Sequence, residues 1–244
     1  MEKKVSPEHE QPETTYFHGF LFHGAKKPFR FNSEYTFDDP EVDGSATLGF
    51  GFYATDEVEG AADYSLVRQK GELDRVPYVY VLSVDNIKFW DFRGDSANIA
   101  LPNSVVLEWL KYYDKVLENE NENLSFIQKI WKQKQLDYVE FLKQLASSGK
   151  DVDLRIVLGT AIGEENRAFG FFVDSGSPPW TVQFRSFVVD QLGYDGLIYI
   201  EGSEKDTNQK HSSFVIYNLA NVVCSEKFLS REKLDAVENY VQEG

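Results

Sequence analysis

Apolar positions along the chain follow two periods, and the change from one to the other divides it. Tyr16-Phe-His-Gly-Phe-Leu-Phe-His23 is dense in aromatics with little alternation, as in a strand covered on both faces. Val76 to Val84 reads as a strand bounded by Gly71 and Asp85-Asn86, and Phe89 to Phe92 runs into a turn at Arg93-Gly94-Asp95. Leu197 to Ile200 and Ser213 to Asn218 add two late strands. Between Pro102 and Ser148 the period becomes 3.6. Val106, Trp109, Leu110, Tyr113 and Leu117 recur on one helical face after a cap at Asn103 or Ser104, until the Asn119-Glu-Asn-Glu-Asn123 run breaks it. Leu124, Ile127, Trp131, Tyr138, Leu142 and Leu145 form a second stripe stopped by Gly149. Together the stripes predict an antiparallel helical hairpin over about 102–149, packed on the sheet core.

The remaining segments are shorter. Residues 151–179 read as a brief element around Leu154–Leu158 and then loop, and 180–192 as an amphipathic helix closed by Gly193. A final surface helix is expected over 230–242, opened by Ser230. Residues 26–47, with Pro28, Asp38-Asp39-Pro40 and Gly44, read as a long loop of the kind that carries function. Residues 1–15, charged and holding Pro7 and Pro12, read as a disordered lead, which leaves 16–244 as a single domain.

One stretch has a different character. In Leu48-Gly-Phe-Gly-Phe-Tyr-Ala-Thr-Asp-Glu, Gly49 and Gly51 permit close backbone approach, and Phe52 and Tyr53 follow at once. Thr55 or Asp56 can cap a helix running to about Arg68, with Glu57 and Glu59 at the positive end of its dipole. Tyr64 lies eleven positions after Tyr53, close to three helical turns, so the two rings either line one slot for a planar heteroaromatic ligand or are half-buried core tyrosines.

Composition narrows the choices. With 244 residues, 42 % hydrophobic and 15 % aromatic, the chain can fill one large core. A formal charge of −15 disfavours a nucleic-acid partner, because phosphate affinity comes from Lys and Arg. The single Cys224 excludes an intramolecular disulfide and multi-cysteine metal sites, and it reads as a small apolar core residue. The four histidines lack metal-ligand spacing, and there is no Gly-x-Ser-x-Gly elbow. No apolar run approaches the roughly 20 residues of a spanning helix, so no membrane association is expected. A cytoplasmic chain is expected, or one delivered without a cleaved signal into the cytosol of a host or target cell.

Three segments in this order, Phe22-His23-Gly24-Ala25, Gly49-Phe-Gly-Phe-Tyr53 with Tyr64, and Asp195-Gly-Leu-Ile-Tyr-Ile-Glu201 leading to Ser213-Phe-Val-Ile-Tyr217, resemble the His-Tyr-Glu class of ADP-ribosyltransferases. Within that class they are most similar to the bacterial and phage branch found in polyvalent proteins, and Val79 to Asp91 is also like that branch. The likeness covers about 16–95 and 180–228. It implies an α+β fold with a split, mostly antiparallel β core, the donor cleft between its halves, and the 102–149 hairpin as an insertion. It implies NAD as substrate, no metal, a protein acceptor, and mono-ADP-ribosyl transfer with release of nicotinamide. An NAD glycohydrolase and an inactive NAD- or partner-binding module are the alternatives.

The matched positions carry the implied roles. His23 bonds a ribose hydroxyl, Gly24 and Ala25 meet the nicotinamide carboxamide, and Gly51, Phe52, Tyr53 and Tyr64 form the ring slot. Ala25 stands where the family has Thr or Ser, and Ser213 stands where poly-ADP-ribose-polymerase-like enzymes have the acid. The carboxylate that stabilises the oxocarbenium-like transition state is then Glu201 at a strand end, with Glu204 as second choice. His18-Gly19 duplicates the His-Gly pair and is the competing assignment for His23.

Overall fold

The computed structural model describes residues 13–25, 51–68, 77–93, 99–119, 125–159, 179–201 and 211–225. Its strands are β1 (Glu13–Ala25), β2 (Phe52–Thr55), β3 (Tyr78–Asp91), β4 (Ala100–Leu101), β5 (Val152–Asp153), β6 (Gly196–Glu201), β7 (His211–Ile216) and β8 (Val222–Ser225). Its helices are α1 (Val58–Arg68), α2 (Asn103–Glu118), α3 (Phe126–Ser147), α4 (Leu154–Leu158) and α5 (Pro179–Ser186). The expected loop at 26–47, the C-terminal helix and Glu204 lie outside the described residues.

The mixed α+β class expected from the two periods holds. Six strands run in the order β1-β2-β7-β6-β3-β8, and an added β1–β3 pairing closes the first five into a ring that leaves β8 on its outside. All neighbours are antiparallel except β3 and β6. The ring has one long seam, β1 with β3 from Glu13↔Asp91 to Ala25↔Tyr78, and one minimal seam, β1 with β2 at Phe22↔Thr55.

Two strands differ from expectation. β1 begins at Glu13, three residues before the expected strand, because Thr14 and Thr15 pair with Trp90 and Phe89 and the Thr15 hydroxyl donates to Asp91 at 2.7 Å. Its first half alternates, with Tyr16 and Phe20 exposed, and the stretch from Leu21 to Ala25 is the part covered on both faces. β3 continues through the boundary expected at Asp85-Asn86. That pair forms a bulge opposite His18, with Asn86 at φ 53° and Gly19 at φ 145°. Asparagine and glycine are the residues that tolerate such backbone.

Strand alternation sorts side chains between two cores. Leu21, Phe52, Leu82, Ile198, Phe214 and Ile216 fill the ring interior. On the outer face Trp90, Leu197, Val215 and Tyr217 join Trp109, Leu142 and Trp180 in a second cluster, so the expected hairpin shares one buried core with the sheet, with Trp109 against Phe184 and Phe187. It is antiparallel, with Trp109 Nε1 donating to the Tyr138 hydroxyl and Lys132 Nζ reaching Leu117 O. Ser125 and Gln128 form a reciprocal capping box at α3, so the second helix starts at Phe126. The expected 180–192 helix is α5 followed by a π-helical turn, Phe187–Gln191, and Gly193 at φ 69° supplies the stop. Cys224 is partly buried against the ring interior.

Candidate functional site

α1 crosses the outer face of the ring at its open end. Phe22 and Val79 from β1 and β3 pack with Val58, Ala61 and Ala62 from the helix. Gly24 sets the distance: a Cβ there would stand 2.0 Å from Ala61 O, so a side chain at 24 and this helix placement exclude each other. Thr55 Oγ1 accepts from Glu57 N at 3.2 Å, one residue before α1 begins at Val58, so it forms a turn leading into the helix and not the expected cap on first-turn amides.

A cavity of about 110 Å³ lies between α1 and the ring. Apart from Ala54, its strand lining follows the period of two: Phe22 and Gly24 from β1, Tyr53 and Thr55 from β2, Tyr199 and Glu201 from β6, His211 and Ser213 from β7. Register places these in rungs, since Phe22 faces Thr55, Thr55 faces Ser213, Ser213 faces Tyr199, and His211 faces Glu201. Tyr64 closes the helix side with 39 % of its surface exposed, so its ring walls the space instead of filling a core. The cavity volume is far below the several hundred Å³ of a typical small-molecule pocket, so a whole dinucleotide does not fit inside it.

Glu201 carries the site's organised charge. Ser213 Oγ donates to its Oε2 at 2.7 Å, and the Tyr199 hydroxyl donates to the same oxygen at 3.2 Å. Both donors take Oε2, and Glu201 itself is exposed at the cavity edge. Burial first, and then the neighbouring Glu201 carboxylate, push the Tyr199 hydroxyl well above the ordinary tyrosine range, so it stays a donor.

The sequence-predicted residues divide between cavity and support. Gly24, Tyr53, Tyr64 and Glu201 are brought together around the cavity. His23, Ala25, Gly51 and Phe52 are buried and outside its lining. His23 points inward, its ring 4.2 Å from that of Phe52, and Nδ1 lies 2.6 Å from Tyr53 O. A carbonyl only accepts, so Nδ1 carries the proton and the imidazole fixes the β2 backbone that presents Tyr53. Gly51 is required by packing, because a Cβ would stand 2.3 Å from Val215 Cγ1. Ala25 is fully buried, and its carbonyl accepts from Ser65 Oγ at 2.6 Å. The competing His18 is at the bulge, 80 % exposed and bonded to Asp85 at 2.8 Å, far along β1 from these residues.

Thr55, Tyr199, His211 and Ser213 line the cavity but escaped assignment as ligand-facing residues. Alternation counted from Glu201 and through Ser213 would have found Tyr199 and His211 on that face. Arg93 is held by Asp91, with Nε to Oδ1 at 3.0 Å, and the rest of the expected turn at 94–95 lies outside the described residues. Among the described residues no three His, Cys, Asp or Glu side chains form a group able to hold a metal ion, and no helix is long and apolar enough to cross a membrane. Compared with protein-family models, curated proteins and solved structures, the chain matches none.

Proposed function

We propose that the protein transfers a single ADP-ribosyl group from NAD to a protein acceptor and releases nicotinamide. The observation that carries this reading is Glu201: an oriented carboxylate that lines one cavity with two tyrosine side chains. A nicotinamide ring stacked between Tyr53 and Tyr64 presents its glycosidic bond towards Glu201, and the remainder of the dinucleotide lies along the surface. As that bond breaks, positive charge grows on the ribose, and a carboxylate held in place before the reaction stabilises it without reorganising. Ser213, which stands where related enzymes have an acid, supports the active reading, because its hydroxyl orients Glu201 from the neighbouring strand.

The expected split core belongs to the same proposal: within the single sheet that the β1–β3 pairing closes, we read β1, β3 and β8 as one half and β2, β7 and β6 as the other. They meet through three β3–β6 pairs and the single Phe22↔Thr55 pair, over which the cavity lies.

Incubation of the full chain with NAD labelled in its adenosine, with and without lysate proteins, tests the proposal. Label on protein with equimolar nicotinamide is the expected result. Free ADP-ribose alone means hydrolysis, and no turnover in either mixture means a binding module.

A further inference from the structure

Within the transfer reading, on which this inference rests, we infer that His211 takes the proton from the acceptor and that the acceptor presents a hydroxyl group. Transfer asks for two services at the anomeric carbon: negative charge beside the developing cation, and removal of a proton from the incoming nucleophile. Glu201 is arranged for the first. Its Oε2 already accepts from Ser213 and Tyr199, which fix the orientation of the carboxylate.

His211 is arranged for the second. It opens β7 directly opposite the last residue of β6, as the pair Glu201↔His211, and both side chains line the cavity. Directly opposed side chains on one face stand about 4.5–5.5 Å apart at Cβ, which fits two groups acting on the two sides of one reacting centre. The imidazole is half-buried, and its Cγ and Cδ2 lie 3.7 Å from where a Cβ on Gly60 would be. It therefore sits at the edge of α1's first turn, on the rim from which an acceptor approaches. Imidazole is the side chain that exchanges a proton near neutral pH.

In the step, the bond from the anomeric carbon to the nicotinamide nitrogen breaks and its electron pair leaves with nicotinamide. The acceptor oxygen forms the new bond, and its proton passes to a ring nitrogen of His211, which returns it to solvent. This chemistry selects the acceptor. A carboxylate has no proton to give at neutral pH and meets Glu201 and a chain of net charge −15. An ammonium has no lone pair to attack with until it has already lost a proton, and the guanidinium lone pairs are delocalised, whereas a hydroxyl attacks through a free lone pair and sheds its proton to a base as the bond forms.

The test uses the full chain, adenosine-labelled NAD and lysate proteins as acceptors. His211→Gln should lower protein labelling about 10²-fold while NAD affinity by calorimetry stays within about two-fold. Added imidazole should restore part of the rate to His211→Ala, a result that a merely structural role would not give. The label on wild-type products should survive neutral hydroxylamine, which cleaves carboxylate esters. Full labelling by His211→Gln, or no rescue of a His211→Ala variant that still binds NAD, overturns the inference alone. Hydroxylamine-labile label overturns the acceptor class. No nicotinamide release by the wild-type chain removes the transfer reading, and this inference with it.

Discussion

Glu201 and Ser213 act as one unit, although they are twelve residues apart and on different strands. Glu201→Gln preserves shape and hydrogen bonding but removes the charge that a growing oxocarbenium feels. Turnover with NAD should fall by roughly 10²–10³ while affinity for an unreactive analogue barely changes, the signature of an interaction made in the transition state. Ser213→Ala takes one of two donors from Oε2 and should cost about ten-fold, since Tyr199 still holds the carboxylate. Equal turnover in Glu201→Gln and wild type would remove the acid from this position. Tyr64 offers an independent check on the ring slot. Tyr64→Ala should weaken analogue binding several-fold, about 1 kcal/mol or more, whereas Tyr53→Phe keeps its ring and should change little. Unchanged calorimetric affinity in a folded Tyr64→Ala variant would mean that the two rings only pack.

What assembles these side chains is the alternation of four strands under one helix. The sequence made the strands visible as aromatic and β-branched runs and made α1 visible through Thr55 and its acidic first turn. It also brought forward Tyr53, Tyr64 and Glu201, which line one cavity. Reading Asp85-Asn86 as a strand end failed because turn-forming residues also build bulges, and pairing with β1 carries β3 across them. The pattern could not tell which face of β1 looks inward. For that reason His23 appeared as a ligand contact, while its geometry is that of a brace for the Tyr53 backbone. Gly24 is the sharpest case of a glycine with two readings. If its role is helix approach, Gly24→Ala must push α1 off the strand, since Ala61 O is backbone and cannot swing away. A loss of about 1–3 kcal/mol or more is expected in denaturant titration. A Gly24→Ala variant with wild-type stability and weakened NAD affinity would instead assign the glycine to ligand approach.

At the scale of the whole molecule, strand order and ring closure were out of reach of local patterns, because pairing between β1 and β3 or β2 and β7 joins residues far apart in sequence. The helical hairpin was legible as two stripes, but what it covers was not. It shares one buried cluster with Leu197, Val215 and Tyr217, and Tyr199 belongs both to that cluster and to the cavity lining. If that cluster couples them, hairpin and site share one structural frame. Trp109 is the keystone to test. It is fully buried, contacts Tyr113, Phe184 and Phe187, and donates to Tyr138, which in turn donates to Val157 O. Removing a buried tryptophan ring costs about 3–5 kcal/mol, roughly 10 °C or more in a chain of this size. If hairpin and ring form one cooperative unit, Trp109→Ala lowers a single melting transition seen alike by far-ultraviolet dichroism and by fluorescence of the remaining tryptophans. NAD affinity measured well below that transition stays near wild type, because Trp109 does not line the cavity. Two separate transitions, with the helices melting first and the ring later, would make the hairpin a module docked on the sheet, without a part in holding Tyr199 and Glu201.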